Sequence, residues 1–133
     1  MKVLVDTSVW SLGLRRGSDS AVSPVRELLG LIADNRVQMI GPIRQELLSG
    51  IRDERQFREL ETRLSAFPDL PIVSEDYVTA AGFFNQCRGK GIQGSNTDFL
   101  ICAVAARYGL AIFTTDKDFA LYAKHLPVVL YGR

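Results

Sequence analysis

Two runs of apolar residues, Val3-Leu4-Val5 and Ala111-Ile112-Phe113, lack any polar alternation, and each leads directly or within three residues to an aspartate, Asp6 or Asp116. A strand with no polar face must be covered on both sides. A parallel sheet between helices provides that cover, whereas an antiparallel sheet commonly leaves one face wet. The spacing predicts strands over Lys2 to Asp6 and Ala111 to Thr114, with further strands at Val37 to Ile40 and Val128 to Leu130 and a brief edge strand at Ile72-Val73. Helices should alternate with them.

Between the strands the apolar period changes to that of a helix. Ser23-Pro24 reads as an N-cap followed by Pro at the first helical position, opening a helix through Leu28, Leu29 and Ile32. After Gly41-Pro42, Ile43, Leu47 and Ile51 recur on one face. From Asp53 to Phe67 an apolar stripe (Phe57, Leu60, Leu64, Phe67) runs beside charge pairs four residues apart: Glu54 with Arg58, Arg55 with Glu59, Glu59 with Arg63. The stripe fits either the core or a groove for a partner helix. Ser74 is expected to cap a helix through Phe84 that leads to a glycine-rich loop, and Asn96 to Tyr108, apolar on nearly every side, should be a buried helix ended by Gly109. A short helix over Asp118 to Ala123 completes the pattern. The reading is α/β: a three-layer sandwich with a central parallel sheet of four to five strands flanked by helices.

In such sheets the site lies beyond the carboxyl ends of the strands, where strand order reverses. Asp6 and Asp116 end their strands there, Asp98 opens the helix before the Asp116 strand, and Glu46 lies one helical turn after the second strand. Each has an ordinary alternative: Asp98, three residues after Ser95, fits a capping box, and Asp116 and Asp118 fit turn or cap positions. Their convergence argues for more. At an effective dielectric of about 20, two like charges ~4 Å apart repel by about 4 kcal/mol, so grouped carboxylates call for a cation or raised pKa values. Oxygen donors favour a hard ion such as Mg²⁺ or Mn²⁺.

With 133 residues the chain is expected to form one domain, residues 1–133. The net charge of +1 excludes a strongly basic nucleic-acid binder, but setting Asp6, Glu46, Asp98, Asp116 and Asp118 aside leaves ten acidic residues against 16 basic ones. That is a modestly basic rim around an acidic centre, suited to a phosphate backbone. No stretch reaches membrane-spanning length and none reads as a signal peptide, so no membrane association and a cytoplasmic location are expected. Cys87 and Cys102 read as buried, reduced thiols.

Val3-Leu4-Val5-Asp6-Thr7-Ser8, Glu46 within Arg44-Gln45-Glu46-Leu47-Leu48, Thr97-Asp98-Phe99-Leu100-Ile101-Cys102-Ala103 and Thr114-Thr115-Asp116-Lys117-Asp118-Phe119 together resemble a PIN domain, specifically the VapC-type toxins. The resemblance spans nearly the whole chain in order. It implies a metal-dependent endoribonuclease using Mg²⁺, with Mn²⁺ as substitute, in a type II toxin–antitoxin pair. It implies RNA as substrate, a VapB-like antitoxin as partner, and a homodimer. Asp6, Asp98 and Asp116 are then metal ligands and Glu46 a ligand or water-bridged contact, with Asp118 a more variable acid and Thr7 and Thr115 supporting hydroxyls. Metal-activated water would leave a 5′-phosphate and a 3′-hydroxyl.

Histidine chemistry is excluded by count, since His125 is the only one and is remote from the acids. An Asp-x-Asp phosphatase is excluded by Ser8. The alternatives left are a catalytically inactive PIN-like module binding RNA or protein, and a PIN nuclease of RNA processing. Arg15, Arg16, Arg44, Arg88 and Lys90 are candidate phosphate contacts, each equally readable as a solvated surface charge. Trp10 reads as core packing beside the first strand.

Overall fold

In the computed structural model, which describes residues 1–16 and 23–132, the chain is built outward from β1 (Val3–Val5), whose three residues are all inaccessible to solvent. β2 (Val37–Gln38) lies on one side of it and β3 (Ala111–Phe113) on the other, with β4 (Val129–Leu130) beyond β3. Every neighbouring pair is parallel, and Val3, Leu4 and Val5 stand opposite Ala111, Ile112 and Phe113. Burial of a Val or Leu side chain contributes roughly 1.5–3 kcal/mol. β1 therefore anchors the fold by position more than by length.

The sheet has four strands. Ile72-Val73 is not one of them: Leu70 N–H donates instead to the Met39 carbonyl (2.9 Å), and Met39 and Asp69 form an isolated bridge at the end of the shortened second strand.

Among the described residues seven helices accompany the sheet: α1 (Thr7–Arg16), α2 (Ser23–Ala33), α3 (Gly41–Leu48), α4 (Glu54–Leu64), α5 (Ser74–Arg88), α6 (Asn96–Tyr108) and α7 (Asp118–Ala123). α1 was not legible as a helix. Its sequence, with Thr, two Ser, Val, Trp and Gly13, is poor in helix formers, but the Asp6 carbonyl accepts the N–H groups of Val9 and Trp10 and both side chains enter the core. Packing overrides propensity. Gly13 lets α1 approach α2 closely: a Cβ there would sit 3.3 Å from Leu28 Cδ2, so the leucine would have to give by a few tenths of an ångström. The proposed Ser23 cap lies outside the described side chains.

α4 begins at Asp53, which accepts the Gln56 N–H (2.9 Å), and forms two of the three expected charge pairs, Arg58 to Glu54 and Arg55 to Glu59, both 3.3 Å. Leu60 and Leu64 are buried, and Phe67 meets Trp10 edge-on at 5.2 Å, so most of that stripe belongs to the core. α5 starts one residue earlier than a Ser74 cap implies. Val73 occupies the cap position, and the buried Asp76 accepts its N–H at 2.9 Å. Arg107 of α6 donates twice to Asp76 (2.7 and 2.9 Å) and once to the Pro71 carbonyl (3.0 Å), tying the start of α5 to the end of α6. α6 is buried from Phe99 to Ala105 and stops at Gly109, which has φ +67. That left-handed conformation favours glycine.

Candidate active site

β1 runs out to β2 on one side, and the chain returns to β3 on the other, so the carboxyl ends of β1 and β3 adjoin at the reversal of strand order. Asp6 N–H donates to the Phe113 carbonyl (2.8 Å), which places Asp6 beside Thr114 as both strands end. Asp6 is one of two buried charged residues among those described. Its Oδ2 accepts the hydroxyls of Ser8 (2.9 Å) and Thr114 (2.8 Å). Thr114 Oγ1 also accepts Asp116 N–H (3.0 Å), and Ser8 Oγ accepts Thr115 N–H (3.1 Å). The two strand ends are thus joined by hydroxyls that satisfy main-chain donors and a buried carboxylate together.

The other acids arrive from separate elements. Ser95 Oγ caps α6 by accepting Asp98 N–H (3.1 Å), while the Asp98 carboxylate accepts the Tyr122 hydroxyl through Oδ2 (2.8 Å). The main chain of Asp98 thus completes the cap, while its carboxylate lies near enough to Asp6 and Asp116 for their charges to act on it. Asp116 Oδ1 accepts Asp118 N–H (2.9 Å), so Asp116 also shapes the turn into α7, and Asp118 is exposed on that helix. Glu46 is exposed on α3 between the buried Ile43 and Leu47, with a long contact from the Thr7 hydroxyl (3.5 Å).

These carboxylates act on one another. Burial first, then the charges of Asp6 and Asp116, push the Asp98 carboxyl above its usual range. Burial, then Asp6 and Asp98, push Glu46 up as well. None of the four ion pairs among the described residues involves these acids; the cations lie with Asp69, Glu59, Glu54 and Asp76. The donor set is oxygen only, suited to a hard divalent cation. No three His, Cys, Asp or Glu side chains among the described residues form a ready coordination group. Each of Asp6, Asp98 and Asp116 has one oxygen already engaged by a protein donor. An ion held here would be contacted by few carboxylates and would keep part of its water shell, which is how Mg²⁺ is commonly bound.

Several residues read from the sequence are placed differently. Arg44 pairs with Asp69 (3.0 Å) and donates to the carbonyls of Leu64 (3.0 Å) and Phe67, so it fastens α3 to the end of α4. Arg88 is exposed at the end of α5, over the Phe84 ring (5.9 Å), and Lys90 is exposed in the following turn. The side chains of Arg15 and Arg16 lie outside the described ones. Thr7 does reach Glu46, but Thr115 joins the site through its N–H, and the hydroxyls that hold Asp6 are those of Ser8 and Thr114. Tyr122 was missed altogether. His125 follows α7 with its N–H bonded to the Tyr122 carbonyl, and Trp10 packs in the core as expected.

Comparison with known proteins gives a consistent result. The PIN domain model matches residues 3–125. The chain is 35% identical over 125 residues to a VapC ribonuclease of Mycobacterium bovis, covering 92% of each protein. Ribonuclease VapC11 of Mycobacterium tuberculosis matches to the same extent, with 35% identity and 92% of each chain covered. Among solved structures, VapBC2 from Rickettsia felis bound to a promoter DNA fragment has a TM-score of 0.78 at 18% identity, covering 98% of this chain and 97% of that one. FitAcB from Neisseria gonorrhoeae has 0.77 at 22%, with 98% and 96% covered.

Proposed function

The chain belongs to the PIN domain family, and on that premise we propose that it is an endoribonuclease, the toxin of a type II toxin–antitoxin pair, hydrolysing RNA phosphodiester bonds with Mg²⁺ or Mn²⁺ at the carboxylate cluster. One observation supports the proposal: the carboxylates of Asp6, Glu46, Asp98 and Asp116, drawn from four separate segments, lie near enough for their charges to act on one another, and none of the ion pairs among the described residues involves them. The relatives named VapC ribonuclease support RNA as substrate.

The residues take distinct parts in this reading. Asp6, Asp98 and Asp116 would hold the ion, and Glu46, open to solvent, would reach it directly or through water. Asp118 stands at the rim. Ser8 and Thr114 keep Asp6 in one orientation, which lowers the cost of gathering charge when substrate arrives. The ion, when bound, supplies an acidified water and offsets charge on the phosphate. Arg88 and Lys90, exposed at the end of α5 and in the turn after it, would be the contacts to the RNA backbone.

A VapB-like antitoxin would have a seat in the hollow of about 420 Å³ between α1, α3 and α4, lined in part by Leu14, Leu47, Ile51 and Leu60, none of the four acids lining it. No helix among the described residues is long and apolar enough to cross a membrane, consistent with action in the cytoplasm, and the family supports a homodimer. A second reading is an RNA-binding PIN module without catalysis, since among the described residues no three His, Cys, Asp or Glu side chains form a ready coordination group.

Incubating the antitoxin-free chain with transfer and ribosomal RNA, in Mg²⁺, Mn²⁺ or EDTA, separates the two readings. Discrete cuts that need metal and vanish in Asp6→Ala support the nuclease. Binding without cleavage in every metal supports the module.

A further inference from the structure

Asp98 is held at both ends, and the residue holding its carboxylate comes from an element that the acid motifs leave out. Tyr122, on α7, is fully buried, and its ring lies against Phe99 (4.8 Å) and Phe119 (5.1 Å). Its hydroxyl donates to Asp98 Oδ2 at 2.8 Å. Gly94, just before α6, completes the enclosure: a Cβ there would lie 2.3 Å from the Tyr122 hydroxyl oxygen, 2.8 Å from the ring carbon bearing it and 3.0 Å from the Phe99 ring. The phenol therefore fits only because residue 94 has no side chain. Both rings are fixed in the core, so neither can give way as the end of a flexible side chain would.

Resting on the metal-site reading above, we propose that Tyr122 is a positioning residue: its hydroxyl, seated by Gly94, engages Oδ2 of Asp98 and fixes the orientation in which that carboxylate would meet a divalent ion. A tyrosine in this place acts through Asp98 and need not touch RNA. The Tyr122 hydroxyl donates to Asp98 Oδ2, while the Ser95 hydroxyl, which accepts Asp98 N–H, also bears on the carboxylate from the start of α6. Loss of such an outer hydrogen bond typically weakens metal binding or activity about 10–100-fold.

The test is calorimetric titration of Mn²⁺ into the purified full chain without RNA, alongside thermal melting, for wild type, Tyr122→Phe and Gly94→Ala. Tyr122→Phe preserves the ring packing and removes only the hydroxyl. The expected result is a cooperative melt with Mn²⁺ affinity lowered by roughly 10–100-fold, and a loss in the same direction for Gly94→Ala, which has to displace the phenol. A merely structural tyrosine would change the melting temperature and leave Mn²⁺ affinity as in wild type, which overturns the inference while the metal site stands. Absence of Mn²⁺ binding by wild type overturns both.

Discussion

Thr114→Val tests whether the hydroxyl net at the strand ends holds the acidic centre together. Valine has nearly the shape of threonine and suits the end of a strand, so the change removes one hydroxyl and little else. Three contacts go with it: the 2.8 Å donation to Asp6 Oδ2, the 3.0 Å acceptance of Asp116 N–H and the 3.3 Å contact with the Ser8 hydroxyl. Asp116 is half-buried, so its N–H can turn to water, whereas Asp6 is buried and keeps only Ser8 on that oxygen. A hydrogen bond to a charged group contributes about 1.5–3 kcal/mol, so the metal-free chain should lose about 2 kcal/mol. For a chain of this size that corresponds to a fall in Tm of roughly 6–10 °C. Cleavage at subsaturating Mn²⁺ should drop by about 10-fold or more as Asp6 loses its orientation. The assays are scanning calorimetry in EDTA and an RNA cleavage time course. A variant that melts within about 2 °C of wild type and cleaves at the wild-type rate would refute the view that these hydroxyls position Asp6.

Two further outcomes follow from the same geometry. Asp98 and Glu46 have carboxyl groups raised by burial and neighbouring acids above their ordinary 3.8 and 4.5, so the folded chain takes up these protons before the unfolded one. Metal-free stability should therefore rise as pH falls from neutral through those raised values, levelling off near the ordinary ones, and Asp98→Asn should flatten the rise and melt higher at pH 7. Asp76 acts in the opposite sense: its carboxyl is lowered chiefly by Arg107, so its contribution is complete above 3.8 and lost as pH falls through the lower folded value. Melting curves in EDTA between about pH 7 and 3 separate the two effects. Arg44→Ala should lower Tm, because its partners are Asp69 and the carbonyls of Leu64 and Phe67, and should leave RNA affinity unchanged when measured by anisotropy in an Asp6→Ala background. Weaker RNA binding with an unaltered melt would return Arg44 to the phosphate-contact role.

What was legible in the sequence is what local pattern controls. Val3-Leu4-Val5 and Ala111-Ile112-Phe113 could only be strands covered on both faces, and that placed Asp6 and Asp116 at one edge. Gly109 and Ser95 marked the ends of α6 because each does a job the helix end needs. What escaped depends on distance along the chain. Ser8 meets Thr114 across 106 residues and Tyr122 meets Asp98 across 24, contacts that no helical or strand period encodes. The hydroxyls that hold Asp6, those of Ser8 and Thr114, escaped because the turn out of each strand decides which neighbour faces inward. α1 was missed because Val9 and Trp10, poor helix formers locally, gain their stability from the core. The start of α5 moved because Asp76, clamped by Arg107, caps it in place of Ser74.

The join between Asp6 and Thr114 also has a consequence in time. A chain made from its amino terminus presents Asp6 early, but Phe113 and Thr114, which fix that residue, come more than a hundred positions later, and Tyr122 later still. Until α7 has left the ribosome the carboxylates belong to separate, unassembled pieces, and β1 lacks its neighbour on one edge. For a protein proposed to cut RNA, this long closure ties the assembly of the acidic centre to residues made more than a hundred positions after Asp6.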